Sequence, residues 1–215
     1  MRLAMTRPLV GLGLIGAILV TNGCAGKGET RYLDVRTPLK AAATAEQEPV
    51  KIVIEPFEDR RAEKGGVGQR THLWGGVTYF NVAGERPGEV IAQALAERLK
   101  HRGWRGRPWN VQVGSGAAAA DADIVIGGQV QEFAATAKSR VFSTVVNTSS
   151  KLSIQARNQS DKSTTTRSVE GAQGRTVFWF DDEDAQELLA ATLNDGIDRF
   201  ISDTVIVERA LRPAH

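Results

Sequence analysis

The chain has 215 residues, of which 41% are hydrophobic and 24% are charged, a composition sufficient for one globular domain with a core. Its net charge is +2. Both of these charges come from Arg2 and Arg7, because no acidic residue precedes Cys24. The remainder of the chain is neutral and therefore has no bulk attraction for nucleic acid. One cysteine excludes an internal disulfide and a thiol-rich metal site, and none of the three histidines stands in a metal-ligand spacing.

The first predicted element is a short apolar segment near the start of the chain. Pro8–Val20 carries no charge and follows the two basic residues, Arg2 and Arg7. It is shorter than the roughly 20 residues that a membrane-spanning helix needs, and its length is typical of the apolar region of an export signal. We therefore predict that residues 1–23 are a signal peptide.

The end of this segment resembles a bacterial lipoprotein signal, in which a cysteine thiol receives a diacylglycerol and the chain is cut just before it. Gly23 and Cys24 fit the last two positions of that pattern, whereas Thr21 and Asn22 depart from it. The alternative is an ordinary secretion signal. Acyl chains on Cys24 would hold the protein stably on a membrane. Ala25 in the next position, rather than aspartate, implies by the same resemblance an outer-membrane location with the domain facing the periplasm.

Residues 24–48 are rich in glycine, alanine, threonine and charge and show no sustained period, which predicts the lipidated cysteine followed by a flexible tether without core residues. Within it, "RYLDVRTPL" (Arg31–Leu39) is a candidate for a short extended piece. A single domain is predicted over residues 49–212. Its first strand is "VKIVIEPF" (Val50–Phe57), which alternates and then meets Pro56. The β-branched and aromatic segment "THLWGGVTYFNV" (Thr71–Val82) predicts a hairpin or an irregular edge strand.

The segment "PGEVIAQALAERLKHRGW" is the clearest helix in the chain. Ile91, Leu95 and Leu99 recur at helical spacing and predict one buried stripe with Leu95 at its centre. Pro87 suits the first turn, and Gly103 is a typical residue just past a helix end.

Three strands are predicted after this helix. The first is "ADIVIGGQVQEF" with a bulge at Gly127 and Gly128, the second is the alternating "KLSIQARN", and the third returns over residues 164–177. A last helix begins in "DDEDAQE", where Asp181 can cap it, and Asp203 is predicted to cap a short closing helix through Leu211.

This order of elements predicts an α+β fold, namely a two-layer sandwich in which a mainly antiparallel sheet packs against two main helices. The aromatic residues have two interpretations. "VFWF" is predicted to be a strand with aromatic side chains on both faces. In the first interpretation, helices and the segment around residue 75 cover both faces. In the second, the aromatic side chains are exposed and form a surface for a partner or lipid. The candidate surface residues are Trp74, Tyr79 and Trp179.

Motifs that carry catalysis do not occur in the chain. "GGVGQRT" lacks the lysine of a phosphate-binding loop, and no serine stands in Gly-x-Ser-x-Gly. The acids of "DAD" and "DDED" open a strand and a helix, which explains them without a metal. We predict a protein that is not an enzyme and that has no catalytic residue, no cofactor and no metal.

Several segments occur in an order that resembles the YajG family of bacterial lipoproteins: "ERLKHRGW", "ADIVIGGQV", "KLSIQARNQSDK", "VEGA" and "LNDGIDRFISDTVI". This resemblance implies an outer-membrane lipoprotein with no assigned reaction, and Cys24 is the one functional residue that it carries over. The predicted function is a membrane-anchored envelope lipoprotein that acts through contacts with an unidentified envelope protein. The alternative is a lipid- or glycolipid-handling accessory of an envelope transport system.

Overall fold

The computed structural model describes residues 27–35, 48–84 and 86–214. Within these ranges the chain forms three α-helices, one 3-10 turn (Trp104–Gly106) and eleven strands. The helices are α1 Pro87–Arg102, α2 Ala117–Ala120 and α3 Asp182–Ser202. The strands are β1 Lys27–Leu33, β2 Glu48–Ile54, β3 Glu58–Asp59, β4 Gly68–Thr71, β5 Val77–Val82, β6 Trp109–Val113, β7 Ile124–Arg140, β8 Ser143–Asn158, β9 Thr164–Val177, β10 Thr204–Val207 and β11 Ala210–Pro213.

Strand β7 organises a nine-stranded sheet. Along one edge it pairs in turn with β2, β3 and β4, all parallel to it, and along the other edge it pairs with β8 in an antiparallel ladder. Strand β9 continues that ladder, while β4, β5 and β1 extend the sheet on the other side. The α+β class is confirmed, but the sheet is mixed rather than mainly antiparallel, because short strands from distant parts of the chain join β7 in parallel.

Helices α1 and α3 share one hydrophobic core with one face of the sheet. Phe80, Phe133 and Phe200 are fully buried in it, together with Leu95 of α1. On the other face the single turn of α2 covers a small cluster around Val53. The long strands β7 to β9 present mostly polar side chains on that second face, which the alternating pattern of the sequence predicts.

The sheet begins earlier than the predicted domain boundary at residue 49. Lys27–Leu33, inside the range predicted to be a flexible tether, pairs in parallel with β5, and Leu33 and Val35 are both buried in the core. The backbone N–H of Asp34 also donates to the side-chain oxygen of Gln186 on α3 at 2.8 Å. The tether prediction is wrong here, because its extended piece belongs to the sheet. Parallel pairing with a strand about 50 residues further on is not visible in the local sequence.

Helix α1 spans the predicted segment, and Leu95 is only 1% exposed, so the predicted buried stripe is confirmed. Gly103 is needed for a different reason than the one predicted. Its φ of −93° is not left-handed, but a Cβ there would lie 2.5 Å from the Trp109 ring. Gly88 serves a similar close approach at the start of α1, where a Cβ would lie 1.9 Å from the carbonyl oxygen of Phe57.

Two local predictions are corrected by the hydrogen-bond register. The bulge in β7 falls between Val130 and Glu132 rather than at the two glycines. The residues after Asp203 form the antiparallel hairpin of β10 and β11 rather than a closing helix. The cap of α3 is confirmed, since the Asp181 carboxylate accepts from the backbone N–H of Glu183. Among the described helices, none is both long and apolar enough to cross a bilayer.

Candidate functional site

The structure separates the predicted surface residues into two places. Trp74 lies in the turn between β4 and β5, and Trp179 lies between β9 and α3, whereas Tyr79 lies within β5. Cys24, the predicted lipidation site, lies outside the described residues. Two surfaces therefore need description, one at an end of the sheet and one on the face opposite α1 and α3.

The first surface lies where several strands stop side by side. Hydrogen-bond register places Val77, Thr71, Lys138, Val145 and Thr176 in one row across β5, β4, β7, β8 and β9. The turns and links just beyond that row therefore gather at one end of the sheet. We call residues 72–76, 139–144 and 178–180 together the loop end.

The loop end exposes large apolar side chains. Trp74 is 91% exposed and Trp179 is 93% exposed, and Phe142 and Phe178 are exposed nearly as fully. The covered interpretation is therefore wrong for Trp74 and for Phe178 and Trp179 of "VFWF", whereas Phe180 packs against the core. It assumed that "VFWF" is a strand with both faces packed, but β9 ends at Val177 and the next three residues form a link to α3.

The link is held firmly although two of its aromatics point outward. Phe180 stacks on the buried Phe80 ring at a centroid separation of 6.3 Å, and the guanidinium of Arg70 lies 4.4 Å above the Phe180 ring. Arg70 also donates to the Ser139 hydroxyl at 3.1 Å, and burial lowers its pKa. A cavity of about 470 Å³ opens between these groups and the Phe142 and Trp179 rings. The exposed aromatics thus stand on an ordered base.

Sequence reasoning missed Val141 and Phe142, which form the tight turn between β7 and β8. Phe142 has a φ of +65°, a conformation that bulky residues rarely adopt. The sequence gives only a weak signal here, because two of the three buried positions of β8 nearest the turn are polar, namely Thr144 and Thr148, and only Val146 is apolar. A strand with polar inward side chains lacks the apolar alternation that predicts a hairpin.

The second surface is a cleft beside Tyr79 on the face of the sheet opposite α1 and α3, which α2 covers only around Val53 and which we call the helix-free face. Tyr79 points away from the core side of β5 and is 46% exposed. The cleft has a volume of about 670 Å³ and lies between the loop that joins β3 to β4 and the middle of β7. Its lining includes Gly66, Gln69, Tyr79, Glu132 and Thr136.

Arg61 forms one wall of the cleft and fills a gap in the sheet. Its guanidinium makes two bonds with the Asp59 carboxylate, at 3.0 and 2.9 Å, and one with the carbonyl oxygen of Gly66 at 2.6 Å. The guanidinium also donates to the carbonyl oxygen of Phe133 at 3.4 Å, in the stretch of β7 between the residues that pair with β3 and those that pair with β4. The hydrogen bonds from Arg61 lower the pKa of Asp59, so this pair stays charged at neutral pH. Arg61 is thus a structural residue of the cleft wall.

The helix-free face continues beyond the cleft across β7, β8 and β9 as a polar surface. Lys151 pairs with Glu170 across the β8–β9 ladder at 2.5 Å, and the Ser149 hydroxyl donates to the Glu132 carboxylate. Exposed side chains in register on this face are Gln129, Thr136, Asn147, Gln155, Ser168 and Glu170.

The acidic runs of the sequence take structural roles. Asp121 and Asp123 pair with Lys51 and Arg209 at 2.7 and 2.8 Å, and Asp181 caps α3. In the part of the chain that the structure describes, no three histidine, cysteine or acidic side chains come together as metal ligands.

Comparisons with known proteins find no matching family profile and no matching curated protein. Similar solved structures include an uncharacterized protein with 9% identity and a TM-score of 0.46, covering 82% of this chain and 97% of that one. PelC from Paraburkholderia phytofirmans, solved as a dodecamer, has 16% identity and a TM-score of 0.35, covering 71% and 91%. Lipoprotein GNA1162 from Neisseria meningitidis has 13% identity and a TM-score of 0.29, covering 72% and 99%. These values are too low to transfer a function.

Proposed function

We propose that this chain is a lipid-anchored lipoprotein of the bacterial cell envelope, related to the YajG family, that acts without catalysis by binding another envelope protein. Acyl chains on Cys24 hold it to the outer membrane, and its domain faces the periplasm. The observation that carries the binding role is the polar helix-free face of β7, β8 and β9, together with the cleft beside Tyr79.

This face suits a protein partner. Its side chains are small or medium-sized and mostly polar, and they project in register from a ladder about 14 residues long between β8 and β9. Tyr79 and the carboxylate of Glu132 border the cleft, so an aromatic anchor and a charged group lie together. Aromatic residues are enriched at the energetic centres of protein interfaces, and polar groups are typical of their rims.

The packing between helices and sheet favours a protein partner over the lipid-handling alternative. Leu152, Ile154 and Phe133 fill that space from the sheet, and Leu193 and Phe200 fill it from α3. All five side chains are at most 1% exposed. An acyl chain could enter this layer only by displacing core side chains, which are packed as densely as an organic crystal.

A catalytic role is also disfavoured on the polar face. Ser149 and Lys151 lie two residues apart on the same face. If Ser149 acted as a nucleophile, Lys151 would have to act as its base. The hydrogen bond from Lys151 to Glu170 raises the pKa of this lysine. The ammonium form is therefore favoured, and it cannot accept a proton.

The anchor is tested by replacing Cys24 with serine in the full chain. Cys24→Ser should abolish labelling by a clickable fatty acid and leave the protein unprocessed or released from the membrane fraction, because the hydroxyl does not replace the thiol as acyl acceptor. Gels of metabolically labelled cells compare it with the matched control Thr30→Ser, which alters an exposed residue of β1 and should be labelled like the parent. Equal labelling of Cys24→Ser and the parent would contradict the anchor.

The partner surface is tested with a photocrosslinking amino acid placed in the lipidated full chain. At Tyr79 or Gln155 on the helix-free face it should give one discrete adduct with an envelope protein. At Arg102, an exposed residue at the end of α1, it should give none. Adducts only from Arg102, or none from either face position, would contradict the proposed partner surface.

A further inference from the structure

We infer that the loop end is a membrane-docking surface, whose exposed aromatic side chains insert into the interfacial region of the phospholipid bilayer that carries the anchor. This inference adds a second membrane contact to the proposed function and rests on it for the identity of the anchor. The occupant of the loop end is thus lipid rather than protein.

Strand β1 begins at the loop end. Lys27, the first residue of β1, is in register with Val77, which directly follows the turn containing Trp74. Strand β1 therefore starts at the loop end and runs away from it. Any anchor upstream of β1 enters the domain at the end that carries the exposed aromatics.

The chain between the anchor and the domain is short. Three Cα–Cα steps separate Cys24 from Lys27, and each is about 3.8 Å, so the two Cα atoms lie at most about 11 Å apart. The row of strand ends from β1 to β9 is six strands wide, about 24 Å at the usual strand spacing. An acylated Cys24 therefore keeps the β1 corner of the loop end close to the bilayer surface, and the β9 end of the row lies about 24 Å from that corner.

The loop end is rich in exposed apolar side chains. It holds six of the nine large apolar side chains that are exposed in the described chain, and three of the six are tryptophan or phenylalanine with more than 85% of their surface exposed. Tryptophan is enriched at membrane–water interfaces, and exposed apolar patches of this kind mark interaction sites. The six are Leu73, Trp74, Val141, Phe142, Phe178 and Trp179.

The opposite end of the sheet has a different character. Strand β7 is 17 residues long, so the two ends are about 50 Å apart at 3.3 Å per residue. The turn at the far end of the β8–β9 ladder pairs Asp161 with Arg212 and carries Lys162. One end of the domain is thus apolar and the other is charged, as expected for a domain that stands upright on a membrane.

The charges around the loop end indicate which force holds it there. Arg70, Lys138 and Arg140 are basic, but Asp181 and Asp182 lie beside the exposed aromatics in sequence. The two signs offset each other, so attraction to anionic headgroups is weak. Docking should therefore depend on aromatic insertion and change little with salt.

The test uses the intrinsic fluorescence of the lipidated full chain. Of its four tryptophans, Trp74 and Trp179 are exposed, whereas Trp104 and Trp109 are buried and serve as an internal reference. The protein is purified in detergent and reconstituted into vesicles of phosphatidylethanolamine and phosphatidylglycerol, with part of the lipid brominated on its acyl chains. Bromine should remove most of the emission from the two exposed tryptophans and none from the buried pair, at low and high salt alike.

The variant Trp74→Ser/Trp179→Ser should keep its fold, because both side chains project into solvent, and should lose the bromine-sensitive emission. The matched control Trp109→Phe removes a buried tryptophan and should leave the bromine-sensitive emission unchanged. Vesicle flotation of every sample reports separately on the anchor, and circular dichroism reports on the fold.

The outcomes separate the inference from the proposed function. The protein could float with the vesicles while Trp74 and Trp179 are quenched by aqueous acrylamide and not by bromine. That result would overturn the inference, and the loop end would then be a surface for a protein partner. Protein that does not float would contradict only the anchor. The single thiol of Cys24 can then be coupled to a maleimide-bearing lipid, and the same bromine measurement decides the inference.

Discussion

A soluble form of the chain that begins at Ala45 should be less stable than one that begins at Ala25 by about 3–6 kcal/mol. The shorter form lacks β1, and with it Leu33 and Val35, which are 0% and 2% exposed. Burying one such side chain stabilises a fold by about 1.5–3 kcal/mol. Urea unfolding of both forms, followed by circular dichroism, measures the difference.

The loss should also change how the shorter form behaves at high concentration. Without β1, strand β5 becomes an open edge, and an unpaired edge promotes association between chains. Leu33→Ser in the longer form should reproduce part of the destabilisation, whereas Tyr32→Ser, at a residue that is 65% exposed, should have little effect. Coincident unfolding curves for the two lengths would show that β1 adds nothing to the core.

The elements that could be predicted from the sequence are those with a strong local period or a strong end signal. Helix α1 has apolar residues at helical spacing between Pro87 and Gly103, and α3 has a capping residue, Asp181, followed by acids. Strand β8 has clean alternation in "KLSIQARN" up to a polar turn, after which β9 returns. In each case the residues that define the element are neighbours in sequence, so the pattern contains the information.

The features that could not be predicted depend on contacts between distant segments. The parallel pairing of β1 with β5 and of β4 with β7 is set by the completed sheet, and short parallel strands carry little signal of their own. The position of Trp74 and Trp179 at one exposed end of the molecule has the same origin. The pairing of distant strands decides which turns lie side by side. Composition identified these aromatics as candidates, but only the register shows that they lie at the end where β1 begins.

The two surfaces give the domain an orientation that fits both proposals. If the loop end lies on the bilayer, the ladder of β7, β8 and β9 runs away from the membrane, and its helix-free face is open along its length. The cleft beside Tyr79 then lies near the membrane end of that face, because Tyr79 is two residues from Val77 in the row of strand ends. A partner bound there would be held within a short distance of the membrane.

Leu95→Ala should lower the free energy of unfolding by about 2–5 kcal/mol, the range for removing a large aliphatic side chain from a packed core. Leu95 is 1% exposed, and it lies between Ile91 and Leu99 on the buried stripe of α1. Because alanine favours the helix at least as well as leucine, the loss reports on packing rather than on helix propensity. Gln93→Ala, on a less buried position of the same helix, is the matched control and should cost little. Denaturant melts of the soluble form from Ala25 compare the variants, and equal destabilisation by both would contradict the orientation of α1.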